Sequence, residues 1–266
     1  MIIDCHTHAF PDDLAPRAIE SLSQCSNINP FTDGTLAGLR DSMRKAGIDK
    51  SIVAPIATKP AQVAGINVWA AVIKRRNRKL ISLGTLHPNQ DDWMPDINQL
   101  IRDGIPGVKL HPEYQSFFVD SPEVMPMYRA IADAGLFVLF HAGIDIGLPP
   151  PVHCTPDRLA RVLDAVPHLK VIAGHMGGYK YWGDVERYLA GRELYLDTAY
   201  CFNDMGAERL TALIKSHGVE QILFGTDSPW TDQSVEIAHI RSLPLTPSEI
   251  DAILGENAAR LLRLSR

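Results

Sequence analysis

The sequence predicts an α/β protein: a (β/α)8 barrel of the TIM type, one domain over residues 1–266, with extra helices at its C-terminal end. Three observations predict it. Short apolar runs of strand length alternate with helical patterns eight times along the chain, as in a parallel sheet wrapped by helices. The 266 residues suit a barrel of this kind, which needs about 250. No GxGxxG or GxxxxGK[ST] turn follows any strand, which disfavours a doubly wound nucleotide-binding sheet. No linker or shift of composition divides the chain.

The first strand is Met1–Cys5, followed by a long polar loop rich in Pro and Gly through Gly34. Long connections in compact domains are often functional. Thr35–Ala46 is helical, with Leu36, Leu39 and Met43 at helical spacing and Gly47 as its stop. Lys50–Pro55 is the second strand and Ala61–Arg76 its helix. The third strand is Leu80–Leu86, ending at His87, and Asp91–Arg102 follows as a helix with Ile97, Leu100 and Ile101 in its stripe. Gly107–Leu110 is the fourth strand, ending at His111-Pro112. A loop carrying Tyr114, Phe117 and Phe118 leads to the helix Pro122–Ala134. Leu136–Phe140, apolar on both faces as a covered parallel strand should be, ends at His141.

The loop Ile144–Cys154 holds three consecutive prolines, and Thr155-Pro156-Asp157 opens the next helix with a cap and a first-turn proline. Leu169–Gly174 ends at His175, and a helix lies around Asp184–Leu189. Leu194–Asp197 is the seventh strand, before the helix Ala207–Ser216. Gln221–Gly225 is the eighth, ending at Thr226-Asp227. Closing helices are expected near Val235–Ile240 and from Thr246 to Leu264, where Thr246-Pro247-Ser248-Glu249 forms a capping box.

Composition narrows the class. A net charge of −5 and the lack of a basic surface run exclude nucleic acid as the expected partner. The cluster Lys74–Lys79 reads as the solvated end of a helix. Four cysteines without a CxxC spacing argue against a disulfide framework or a thiolate zinc site. No apolar run reaches the ~18 residues of a membrane span and no leader pattern is seen, so no membrane partner and a cytoplasmic setting are expected. The expected partner is a small molecule, with a homo-oligomer as a possibility the sequence leaves open.

Active sites of such barrels lie at the C-terminal ends of the strands, and the chemically capable residues fall there. His6 and His8, two apart at the end of the first strand, project together as half of a metal site. Lys109 and His111 end the fourth strand, His141 the fifth, His175 the sixth and Asp227 the eighth. One strand-end histidine is ordinarily structural; several on one rim point to a metal-dependent site. Asp4 shares the alternating face of His6 and is expected to orient a ligand imidazole or to sit as a polar floor residue. His153, His168, His217 and His239 read as ordinary surface residues.

The HxH of His6 and His8, Phe-His-Ala-Gly around His141, Gly-His-Met-Gly-Gly around His175 and Phe-Gly-Thr-Asp-Ser-Pro-Trp around Asp227 occur in this order. With the terminal Gly255–Leu262 segment, this set resembles the amidohydrolase superfamily, in its amidohydrolase-related branch of compact barrels. The resemblance spans the chain and implies that His6, His8, His141 and Asp227 bind a divalent metal, zinc foremost, as one ion or two. It implies Asp227 and His175 as catalytic proton carriers. Lys109, His111 and His175 are further candidates for a metal or the substrate. Lys109 is either carboxylated and bridging, an ammonium for a substrate carboxylate, or paired with an acid such as Glu113.

The first function expected is therefore a metal-dependent hydrolase that directs a metal-activated water at a small amide, lactone or ester. The alternative is a non-oxidative decarboxylase of a small unsaturated or aromatic acid, which needs cations; Lys59, Lys109 and Lys180 are the candidates. A non-catalytic, ligand-binding barrel is the third reading.

Overall fold

The computed structural model describes residues 1–264, so the last two residues of the predicted domain, 265–266, lie outside the described residues. The strands are β1 (Ile3–Thr7), β2 (Lys50–Val53), β3 (Leu80–Ser82), β4 (Gly84–Thr85), β5 (Gly107–Leu110), β6 (Phe137–Phe140), β7 (Lys170–Ala173), β8 (Tyr195–Asp197) and β9 (Ile222–Leu223). All neighbouring pairs are parallel. They form two arcs, β1-β2-β3 and β4 through β9 in chain order. β3 and β4 are two halves of the predicted third strand, and Leu83 between them still donates to the Val53 carbonyl at 2.9 Å. The ring closes where Cys5 N–H donates to Phe224 O at 2.7 Å and Asp227 N–H to His6 O at 2.8 Å.

The helices are α1 (Ala15–Ser26), α2 (Leu36–Ala46), α3 (Val63–Arg76), α4 (Met94–Asp103), α5 (Pro112–Gln115), α6 (Met125–Asp133), α7 (Pro156–Ala165), α8 (Trp182–Tyr188), α9 (Phe202–Met205), α10 (Ala207–His217), α11 (Gln233–Ser242), α12 (Pro247–Asp251) and α13 (Asn257–Leu261). The strand alternation sorts two apolar layers. Ile3, Cys5, Ile52, Phe137, Leu139, Ile172 and Leu223 cluster with Ala258, so α13 packs on the same group as the strands' inner faces. Val53, Val108, Leu110, Val138, Phe140, Val171 and Leu196 belong instead to the layer shared with the helices. Each such fully buried Val, Leu or Phe contributes about 1.5–3 kcal/mol.

Several expectations are corrected. The loop expected through Gly34 contains the twelve-residue helix α1; its apolar spacing at Ala15, Ala18, Ile19 and Leu22 is masked in sequence by the Pro, Ser and Gly around it. The loop after β5 begins with α5, whose N-terminal cap is His111, and α9 occupies the connection after β8. β1 lies two residues further along than expected, so His6 is inside the strand. His217 is buried rather than on the surface: its Nε2 lies 2.9 Å from Leu194 O and its Nδ1 accepts from Gly191 N–H at 3.2 Å. The capping box at Thr246 is present, with Thr246 N–H donating to the Glu249 carboxylate at 2.6 Å.

Candidate metal centre and active site

Two-residue alternation on β1 is interrupted, because the β1–β2 register shifts between Asp4 and Thr7. Asp4 turns toward the start of α11, where its carboxylate accepts from Gln233 Nε2 at 2.7 Å and Thr226 Oγ1 at 2.6 Å. It also accepts from the main-chain N–H of His6 at 3.2 Å and of Thr226 at 3.1 Å. Asp4 thus holds the His6 main chain and not an imidazole. Burial pushes its pKa up to about 7 against these hydrogen bonds. The carboxylate that touches the His6 ring is Asp197 at the end of β8, with His6 Nδ1 2.9 Å from Asp197 Oδ2. Asp197 is not among the site residues the sequence singles out. The available signal is an acid closing an apolar strand.

Asp197 also accepts from His175 N–H at 2.9 Å and Ala199 N–H at 3.1 Å through its other oxygen. A carboxylate in this role accepts, so His6 carries its proton on Nδ1 and presents a bare Nε2 lone pair. That atom lies 3.6 Å from Asp227 Oδ1 and 3.0 Å from Lys109 Nζ. His8 Nε2 lies 3.1 Å from the same Asp227 oxygen. Ligand atoms of His6, His8 and Asp227 fall within 4.8 Å of one another.

His141 joins a neighbouring group. Its Nδ1 is 3.0 Å from His175 Nε2, and His175 Nδ1 is 3.0 Å from the Ala199 carbonyl. The carbonyl only accepts, so the neutral His175 ring has its proton on Nδ1 and takes the His141 proton at Nε2. His141 Nε2 is then a second bare lone pair, and it is buried with no hydrogen-bond partner among the described residues. His141 stacks on His111 at 4.2 Å between centroids. Ligand atoms of His111, His141 and Asp145 form a second cluster within 4.8 Å, with His111 Nε2 3.3 Å from Asp145 Oδ2. Of the four residues expected at the metal, the structure brings three into one cluster and sets His141 in the second. The rings of His6 and His175 link the two groups, 5.1 Å apart.

The electrostatics favour neutral imidazoles facing an ionised carboxylate. Burial lowers the pKa of His6, helped by the Lys109 ammonium, and lowers that of His141, helped by His111 and His175. Burial alone would raise Asp227, but the His8 hydrogen bond and the neighbouring imidazoles outweigh it and hold the carboxyl below its ordinary value. Neutral nitrogens, one of them orphaned, beside a carboxylate are a fitting donor set for a divalent cation. Lys109 is fully buried, and burial brings its pKa down to about 8 although Asp197 and Asp227 oppose this. It pairs with His6 rather than with Glu113.

Backbone strain is concentrated here. His175 and Asp227 adopt left-handed φ values of 58° and 66°, each a cost of about 1–3 kcal/mol. The bonds from His175 N–H to Asp197 and from Asp227 N–H to His6 O hold them in place. Gly174 leaves room for His6: a Cβ there would lie 3.2 Å from His6 Cε1 and 2.9 Å from Phe140 O.

A cavity of about 710 Å³ opens onto these residues. His8, Lys109, His111, His141, His175 and Asp227 line its floor, and Tyr114, Tyr179, Tyr200, Trp69 and Trp230 stand in its walls. Of the aromatics that follow β5, Tyr114 lines the cavity, whereas Phe117 is in the core and Phe118 lies under the Arg158 guanidinium. Lys180 is engaged by Asp204, and Lys59 does not line this cavity among the described residues. Among those residues no helix is long and apolar enough to cross a membrane.

Comparison with known proteins follows the same lines. An uncharacterized TIM-barrel protein from Bordetella bronchiseptica superposes with a TM-score of 0.80 at 22% identity, covering 98% of both chains. A 5-carboxyvanillate decarboxylase from Sphingomonas paucimobilis gives 0.74 at 16% identity over 99% of both chains. A dihydroxybenzoic acid decarboxylase from Polaromonas, with bound manganese and 2-nitroresorcinol, gives 0.70 at 15% identity over 100% of this chain and 97% of that one. At such identities the likeness shows the TIM-barrel fold. No curated protein matches the sequence. The family model described as Amidohydrolase matches residues 3–264, and the chain therefore belongs to the Amidohydrolase family.

Proposed function

We propose that the protein is a metal-dependent carboxy-lyase that removes CO2 from an unsaturated or aromatic carboxylic acid. The observation that carries this reading is Lys109. It is the one lysine or arginine among the described residues lining the cavity, and it lies at the floor beside the His6–Asp227 cluster, under aromatic walls. A carboxylate calls for a fixed cation and an aryl group for apolar walls, whereas a neutral amide or lactone calls for no ammonium. The fold's likeness to two decarboxylases supports the same choice. The order expected from sequence, with hydrolysis first, is thereby reversed; hydrolysis is a reading at the level of the superfamily.

His6, His8, His141 and Asp227 would hold the metal, and their nitrogen and oxygen donors suit zinc and manganese alike. Bound there, a divalent ion supplies positive charge against the substrate's anionic groups. Asp197 keeps the His6 lone pair free through the Nδ1 hydrogen bond. Lys109, buried at the floor beside His6, sets its positive charge against the substrate carboxylate and biases its orientation. His175, with its Nδ1–H held on Ala199 O, accepts at Nε2 from His141 Nδ1–H and so keeps the His141 Nε2 lone pair free for the metal. As the bond to the carboxyl carbon breaks, CO2 leaves and one proton passes to the ring or vinyl carbon, so that R–CO2⁻ and H⁺ become R–H and CO2.

The test is turnover of the metal-loaded protein with aromatic acids, lactones and amides in labelled water. CO2 release with one solvent deuterium at the vacated carbon is expected. Oxygen-18 in the organic product without CO2 would return the hydrolase, and no turnover across the panel would return a binding module. Asp227→Asn should lower turnover by about 10²–10⁴-fold with an unchanged circular dichroism spectrum; full activity would contradict its role.

A further inference from the structure

We infer that the acid handled at this site carries an extended apolar body, which lies in the cleft between α1 and α3. The acid head rests on the carboxy-lyase reading; the apolar body rests on the walls of the cavity. An amphipathic helix ordinarily buries its apolar stripe against protein. In α1 only Ala15 is buried, while Leu14 at its N-terminal cap, with Ala18 and Leu22 of the helix at spacings of four, lines the cavity. The opposite wall is the stripe of α3 formed by Gly65, Ile66 and Trp69. Gly65 faces open space, since a Cβ added there would meet nothing within 4 Å.

Neither wall brings an Asp, Glu, Lys or Arg to the cavity among the described residues. Gln62 at the start of α3 is occupied, its carbonyl oxygen accepting from Thr58 N–H at 2.8 Å and Lys59 N–H at 3.1 Å. The charged groups and imidazoles are gathered at the floor instead, and α1 adds only the hydroxyls of Ser21 and Ser26 to its wall. The space is therefore bipolar, charged at one end and apolar along its length. A volume of about 710 Å³ is in the range that accommodates ligands much larger than one ring with its carboxylate. The matching ligand is an amphipathic monocarboxylic acid, such as an aryl-alkyl acid, with its head at Lys109 and its body between the two helices.

Calorimetric titration of the metal-loaded protein with benzoate, 3-phenylpropanoate, 5-phenylpentanoate and 7-phenylheptanoate tests this without requiring turnover. The dissociation constant should fall about fourfold per added methylene, the equivalent of about 0.8 kcal/mol for each one buried. Gly65→Phe fills the cleft and Leu22→Asp charges its wall; both should flatten the slope, each variant being compared with its own benzoate value. A flat series in the wild type, or an undiminished slope in both folded variants, overturns the inference. A clear slope without CO2 release from any acid keeps the cleft and removes the carboxy-lyase reading. CO2 release from single-ring acids with a flat series does the reverse.

Discussion

Asp197 fixes which nitrogen of His6 carries the proton, and the effect is felt at the atom that faces Asp227 and Lys109. Removing it in Asp197→Ala frees the ring to change tautomer and orientation. Metal affinity should fall about 10–100-fold, measured by competition with a chelating dye; unchanged affinity would remove Asp197 from the site. His217 gives a prediction independent of the site. Burial holds its pKa below 6.5, against the bond to Leu194, and its Nδ1 must stay unprotonated to accept from Gly191 N–H. The unfolded chain takes up a proton near 6.5 and the folded chain does not. The contribution is thus complete above that pH and is lost as pH falls through the depressed folded value. His217→Gln should be less sensitive to acid than the wild type, relative to its own stability at neutral pH. Urea titrations across that range read the slope.

Among the elements, two glycines with opposite surroundings separate conformational freedom from space. Gly65 lies inside α3, and a methyl group there would meet no atom within 4 Å. Gly65→Ala should therefore stabilise the protein by about 0.5–1 kcal/mol, seen as a rise in Tm. Gly143 has φ 84°, and a Cβ there would sit 2.1 Å from Tyr179 N. Gly143→Ala must move main chain beside His141 and should cost more than about 2 kcal/mol, seen as a fall in Tm. If both substitutions behaved alike, space and backbone conformation would not be what distinguishes the two positions. α1 shows how an element escapes detection. Ala18 and Leu22, with Leu14 at its N-terminal cap, face a cavity, so it has the spacing of a helix without the neighbouring core residues that make a helix conspicuous.

For the whole molecule, closure of the barrel depends on a buried carboxylate that belongs to neither cluster. Asp4 ties the His6 and Thr226 main chains, the Thr226 hydroxyl and Gln233 across the junction of first and last strands. Asp4→Ala leaves these buried donors without an acceptor, at about 1–3 kcal/mol for each one that finds no water. A loss of several kcal/mol is expected in urea unfolding, with the ring junction as the first region to exchange amide hydrogens. A loss under about 1 kcal/mol would show that the junction is held by its main-chain bonds alone. The same junction explains why the sequence places Asp4 on the face of His6: strict alternation puts it there, and the register shift between Asp4 and Thr7 turns it away.

The sequence by itself determined the barrel and its rim. Strand and helix periods are local properties, read over a few residues, and eight of them in alternation leave few architectures. His6, His8, His111, His141, His175 and Asp227 are legible as site candidates because each stands where a predicted strand ends. Tertiary structure decided what these residues do to one another. The partner that sets the His6 tautomer is 191 positions away, and the grouping of His141 with His111 and Asp145 depends on how two connections, after β5 and after β6, fold over the rim. Proton positions follow from which partner can only accept, and such pairings between distant strand ends leave no period in the sequence.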